Sequence, residues 1–286
     1  MKVIKTIFLL VHVIILSCLL VGCSGTEKLD TKQTSVYKKV LSKNEIIIGY
    51  ISYPPSFIKD PNTDEFSGIF FEVMDLVAKN LDIKVKYTEE LGWGTMIEAL
   101  NNGRVDIVVT GIWPTSARGK QADFTVPIYY SVVRAYTKFG NNNFNGDIQS
   151  INSNKIKIST IDGEMTSIIA SADFPNAQTA SLSQLSDVSQ VLLEVASDKA
   201  DVTFVEPAIA EEYISNNPDT IQEVKDVKAL RVFPNVMMVN KGEIEFLSMI
   251  NIAITELINN GYVDKIIDKY EKHPNSFERV ALPYRK

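Results

Sequence analysis

The sequence predicts an α/β protein with largely parallel sheets, and three observations lead there. From Glu45 onward, short runs rich in β-branched residues alternate with segments of helical periodicity, the pattern of strands linked by crossover helices. The chain has 286 residues, which at about 150 per domain gives roughly two domains, each large enough to bury a core. Hydrophobic residues at 45% and charged residues at 22% are ordinary for a globular chain, which excludes wholesale disorder and a multi-span membrane protein.

Before that alternation begins, Lys2 and Lys5 precede an apolar stretch from Ile7 to Leu20, the layout of an export signal. The stretch ends at Leu20-Val21-Gly22-Cys23, which resembles a bacterial lipobox, where the signal is cut before a cysteine that is then acylated. An uncleaved anchor helix is the alternative, but about 14 to 16 apolar residues fall short of the roughly 20 a span needs. The expectation is a signal peptide over residues 1–22, lipidation at Cys23 and a polar, flexible tether over 23–44.

Processing of that kind decides which chemistries remain. The chain has two cysteines and two histidines. Cys18 and His12 would leave with the signal and Cys23 would be blocked by lipid, so the folded part keeps only His273, in a polar segment after the last helix. No metal site, cysteine nucleophile or Ser-His-Asp triad is expected from that inventory, and no disulfide. The signal carries two basic and no acidic residues, so the formal net charge would move from −6 to −8. With no basic patch or aromatic-basic motif, nucleic acid is not an expected partner.

The elements follow in order. Ile46-Ile47-Ile48-Gly49-Tyr50 is a continuous apolar run and predicts a buried strand. Ile69, Phe70, Val73, Leu76, Val77 and Leu81 fall at helical spacing, as do Trp93, Met96, Ile97 and Leu100, with Trp93 beginning that helix. Val105 to Thr110 is strand again, and the β-rich run from Val126 to Thr137 suits a crossover. The turn-rich Asn141–Asp147 segment reads as a loop entering a second lobe. Ile156, Ile158 and Thr160 alternate with polar residues, Leu185, Val188, Val191, Leu192 and Val195 mark a helix, and Val202 to Val205 is a strand. Leu247 to Ile258 and Val263 to Tyr270 close the domain as helix, interrupted near Gly261.

One pattern occurs twice. Leu100 to Thr110 and Val195 to Val205 both read as helix end, turn, basic residue, one residue, aspartate, strand, as two lobes built on one plan would. Ligands of open α/β sheets bind outside the carboxyl ends of strands, and here that rule marks Thr110-Gly111-Ile112-Trp113 and Glu206-Pro207.

Beyond the first marked strand, Thr115 is a candidate N-cap, and Arg118 three residues on suits a planar, bidentate grip on a carboxylate. A surface ion pair is the alternative for Arg118. Glu206 presents a carboxylate at the same cleft, suited to an ammonium or to general acid–base work, with a solvated surface position as its alternative. Tyr53, Phe57, Trp93 and Trp113 lie near these strand ends, either as core or as shelves for a ligand.

Taken together, several segments resemble the family 3 solute-binding proteins of polar amino acid ABC transporters, over about residues 45–272. They are Tyr53-x-Pro55-x-Phe57, Gly68-Ile69 through Glu72-Val73, Trp93-x-x-Met96-Ile97-x-x-Leu100-x-x-Gly103-Arg104-x-Asp106, Thr115-x-x-Arg118, Asp123-Phe124-Thr125-x-Pro127-x-Tyr129, and Gly261-Tyr262 to Lys269-Tyr270. The resemblance implies a two-lobed, periplasmic-binding-protein-like (type II) fold with two crossover strands. It places lobe 1 at 45–132 and 236–274, lobe 2 with the crossovers at 133–235, and a C-terminal tail at 275–286. It also implies that Arg118 binds a ligand carboxylate with help from Thr110 and Gly111, and that Glu206 binds the ammonium. Tyr53 and Trp93 would flank the ligand side chain, Phe57 and Trp113 are expected among the ligand-binding residues, and the loop Asp162–Thr166 would offer backbone groups and the Thr166 hydroxyl. Three positions depart from the family pattern: Phe70-Phe71 after Gly68-Ile69, Trp113 in place of a small hydroxyl residue, and Glu206 in place of aspartate.

The function expected is that of an extracytoplasmic, lipid-anchored, monomeric binding protein that captures a small amino acid-like solute and delivers it to an ABC permease, without a cofactor. The alternative is an enzyme on the same fold resembling cyclohexadienyl dehydratases, which act on prephenate or arogenate, with Glu206 as general acid.

Overall fold

The computed structural model describes residues 35–273 and 276–280. The first elements are α1 (Val36–Lys43), β1 (Glu45–Tyr50), the short hairpin β2 (Ile58–Lys59) and β3 (Phe66–Ser67), α2 (Ile69–Leu81) and β4 (Lys84–Glu90). After these come α3 (Met96–Asn101), β5 (Ile107–Ile112), α4 (Ser116–Gly119), β6 (Ala122–Phe124) and the long β7 (Tyr129–Lys138). The middle of the chain supplies β8 (Lys157–Ile161), α5 (Met165–Asp173), β9 (Gln178–Leu182), α6 (Ser189–Ala196), β10 (Val202–Val205), α7 (Pro207–Asn216) and β11 (Ile221–Glu223). The long β12 (Arg231–Asn240), α8 (Ile244–Asn259), α9 (Tyr262–Tyr270) and β13 (Glu278–Arg279) complete it.

Two parallel strand sets result. In the first, β1 runs parallel to both β4 and β5, and in the second β8 runs parallel to β9 and β10. The strands β7 and β12 belong to both. Arg231–Asn235 of β12 runs antiparallel to Tyr129–Val133 of β7, and beyond that ribbon β12 pairs with β5 and β6 while β7 pairs with β10 and β11. A fold of two lobes joined by two crossover strands is the outcome.

Local sequence accounts for the framework. Strand β5 is buried along its whole length, as a parallel strand covered on both faces must be. Helix α2 buries Ile69, Phe70, Val73, Met74 and Val77 and stops at Asp82, whose left-handed φ of 52° caps it. Before that helix Gly68 holds φ 109°, and a Cβ there would meet the Ser56 carbonyl at 2.8 Å. The repeated aspartate does one job in both lobes. Asp106 accepts from the Ile47 backbone N–H at 2.9 Å and Asp201 from that of Lys157 at 2.7 Å, each tying the start of one strand to its parallel neighbour.

Several boundaries differ from those the sequence predicts. Residues 36–43 are helix rather than tether: Val40 is fully buried and Lys39 pairs with Asp106 at 2.6 Å, because the apolar face of this short helix has a core to cover. Residues 1–34, including the proposed signal and Cys23, lie outside the described residues. Trp93 precedes its helix, and Leu185 is exposed before α6 begins. Strand β8 does not alternate, since its last four residues are all buried between helices. Within the region expected to be tail, Phe277 enters the core and β13 pairs with Tyr129 and Tyr130.

Candidate functional site

Three strands, β5, β8 and β10, deliver their carboxyl ends to one place between the lobes. After β5, the Thr115 hydroxyl caps α4 by accepting from the Arg118 backbone N–H at 3.2 Å, which sets the direction of the arginine side chain. Arg118 is only 9% exposed. Nη1 donates to the Trp113 carbonyl and Nη2 to the Gly163 carbonyl, both at 2.9 Å, so one guanidinium ties the end of β5 to the loop after β8. Burial pulls its pKa down, and the nearby Glu164 carboxylate works against that.

Glu164 is the N-cap of α5 and is 2% exposed. Its Oε2 accepts from the Thr166 backbone N–H at 2.7 Å and from the Thr166 hydroxyl at 2.8 Å, and the same hydroxyl accepts from Ile161 N–H. Burial raises the Glu164 pKa, while the Thr166 bonds and the Arg118 charge lower it. The Thr166 hydroxyl is therefore committed to Glu164 and the backbone rather than offered to a ligand, because Thr166 is itself fully buried beneath the loop.

Glu206 follows β10 as the N-cap residue of α7, with Pro207 at that helix's first position, where a missing N–H costs nothing. The carboxyl is 2% exposed and its Oε1 has no protein partner. Its pKa is raised from 4.5 to about 7, chiefly by burial; the Ser131 hydroxyl lowers it and the Glu164 charge raises it. A line of polar groups leads toward this carboxyl: Trp113 Nε1 donates to Asn235 Oδ1 at 3.0 Å, Asn235 Nδ2 donates to Ser131 Oγ, and the Ser131 hydroxyl is near enough to lower the Glu206 pKa. Ser131 and Asn235 sit on the two crossover strands, so this network runs from one lobe through the hinge to the other.

The aromatic residues divide. Tyr53 and Trp93 meet edge to face with centroids 5.4 Å apart, and Trp113 stacks on Phe233 at 4.3 Å. Tyr53, Trp93, Trp113, Gly111, Arg118, Glu164 and Met165 enclose a cavity of about 10 Å³, room for about one water. The Tyr53 hydroxyl is buried without a partner, and burial together with the Glu206 and Glu164 charges pushes its pKa well up. Phe57 is not at this site: it is fully buried in the core, stacked on Tyr50 and packed against Phe66, Phe71 and Tyr87. Thr110 is fully buried with its hydroxyl unpartnered. At Gly111 a Cβ would meet Ser56 Oγ at 2.5 Å and Asn235 Oδ1 at 2.8 Å, so only glycine lets the strand end approach this polar cluster.

The lobes also touch at the cleft edge. Gln184 Oε1 accepts from the Gly94 N–H at 2.8 Å, and Gly163 lies against the Trp93-Gly94 backbone. Reading from sequence misses Glu164 as a charged group, together with Ser131, Asn235, Ser56 and Gln184. A signal existed for Glu164, because the strand-end rule applies to β8 as it does to β5 and β10. Among the described residues no group of three or more His, Cys, Asp or Glu is placed to hold a metal ion, and no helix is long and apolar enough to cross a membrane.

The chain matches the family model for bacterial extracellular solute-binding proteins, family 3, over residues 46–273. It is 23% identical over 282 residues to the L-cystine-binding protein TcyA of Bacillus subtilis (strain 168), covering 94% of this chain and 97% of that one. It is 26% identical over 235 residues to the arginine-binding extracellular protein ArtP of the same organism, covering 80% and 86%. Among solved structures it resembles an ancestral amino acid-binding protein described as a precursor of cyclohexadienyl dehydratase. That likeness has TM-score 0.72 at 23% identity over 83% of this chain and 100% of the other, and speaks for the fold alone.

Proposed function

The chain belongs to the bacterial extracellular solute-binding proteins of family 3, and from that premise we propose that it captures an amino acid or closely related solute between its lobes and delivers it to an ABC permease. The observation that carries this reading is Glu206: a carboxyl buried just beyond a strand end, close enough to Tyr53 of the other lobe to raise its pKa, with one oxygen left without a partner. An unpartnered buried acceptor is costly unless something arrives to satisfy it, and a ligand ammonium is the group that would. Arg118 serves the solute's carboxylate by exchanging its bonds to the Trp113 and Gly163 carbonyls, which already straddle the lobes. A solute that touches both lobes favours the closed form through contacts the open form lacks. Arg118→Ala tests this: calorimetry should show affinity falling at least about tenfold with the fold retained, and unchanged affinity would remove Arg118 from the site.

The lipobox-like segment supports a second part of the proposal, attachment to a membrane through an acylated Cys23 after loss of residues 1–22. Cys23→Ala should move the protein from the membrane fraction to the soluble one. The dehydratase reading draws on the same Glu206, since a carboxyl held near pH 7 suits a general acid; it requires turnover of prephenate or arogenate.

A further inference from the structure

The cleft holds three buried ionisable side chains, and with both carboxyls ionised, as at pH 8, they do not balance. Arg118 contributes one positive charge, while Glu164 and Glu206 contribute two carboxyl groups. The arginine and Glu164 influence one another directly, and the guanidinium already spends two donors on backbone carbonyls. Glu206 is left with burial, the Ser131 hydroxyl and the repelling charge of Glu164. A zwitterion brings no net charge and leaves that surplus negative charge buried, which proteins tolerate poorly. A solute with one extra positive charge neutralises it. The remaining wall suits a cation as well, since Tyr53, Trp93 and Trp113 line the cavity and aromatic faces attract cations. The Tyr53 hydroxyl there is buried and unpartnered, an acceptor for a further N–H.

We propose that Glu164 is a specificity-determining residue that makes the cleft select solutes with net positive charge, such as an amino acid carrying a cationic side chain, over zwitterions of the same size. The inference rests on the solute-binding reading above. Glu164 also caps α5, so the informative substitution keeps an acceptor for the Thr166 N–H while removing the charge, which Glu164→Gln does.

The test is calorimetry on the whole protein at pH 8 with two matched pairs, L-arginine against L-citrulline and L-lysine against L-glutamine. The cation of the better-binding pair should bind at least about tenfold more tightly than its neutral partner, about 1.4 kcal/mol. In Glu164→Gln that preference should shrink to within about threefold, since one of the two negative charges is gone. A neutral member binding wild type as tightly as its cation would overturn the inference while leaving the solute-binding function standing. Failure of every amino acid tried, cystine and histidine included, would overturn both. A preference undiminished in a folded Glu164→Gln would remove Glu164 as its cause, and should that variant not fold, the matched pairs on wild type decide the charge selectivity.

Discussion

Glu206→Gln separates stability from binding. In the folded protein burial moves this carboxyl from 4.5 to about 7, so the native state holds the proton more tightly than the unfolded chain does. Glu206 therefore carries no charge-burial penalty below about pH 4.5, and that penalty grows as pH rises from 4.5 through 7, then levels off. Between pH 5 and pH 8 that amounts to about 2 to 3 kcal/mol, at about 1.4 kcal/mol per tenfold. Glutamine fills nearly the same volume and has no charge to bury. Its amide brings new hydrogen-bonding demands, but these do not vary with pH and cancel in the comparison. Urea denaturation of wild type and variant at both pH values should show the variant gaining about 2 to 3 kcal/mol relative to wild type on going from pH 5 to pH 8, some 4–12 °C in Tm for a chain of this size. The same variant should lose ligand binding, a stability–function trade. A difference between variant and wild type that is the same at both pH values would refute the buried-charge account of this residue.

Other outcomes follow from the same geometry. Affinity for an ammonium-bearing solute should fall about tenfold from pH 8 to pH 6, because only ionised Glu206 pairs with it; calorimetry showing a flat profile would count against that pairing. Gly111→Ala should destabilise by about 1–3 kcal/mol and weaken binding, since its Cβ would crowd Ser56 and Asn235; chemical denaturation reads the first effect and calorimetry the second. Gln184→Ala removes the bond to Gly94 across the cleft and should weaken apparent affinity by about two- to tenfold through the closed-state population, visible as a larger solution radius of gyration. Incubation with prephenate should give no phenylpyruvate absorbance above background, and turnover would instead establish the enzyme reading.

The two-lobed plan was legible because its signals are local and repeated. The Arg104-x-Asp106 and Lys199-x-Asp201 pattern marks the same strand-tying turn twice, and the apolar stripes of α2, α8 and α9 give three helices and the break at Gly261. Arg118 and Glu206 were legible as candidates because strand ends in this architecture point at clefts. What sequence does not reveal is how far a group is buried and whom it meets. Glu164 lies in a loop expected to offer backbone groups and the Thr166 hydroxyl, and only folding shows it capping a helix beside Arg118. Ser131 and Asn235 lie 104 residues apart and become partners through the pairing of the crossover strands. Phe57 belongs to a motif beside Tyr53, yet its ring turns the other way into the core.

The central claim is that a solute bearing an amino group is gripped between the lobes at Glu206. Native mass spectrometry of the protein mixed with an equimolar set of proteinogenic amino acids and L-cystine at pH 8 tests it most directly. The account predicts a single one-to-one adduct on wild type that Glu206→Gln fails to form. No adduct on wild type, or the same adduct at equal occupancy on the variant, would contradict it.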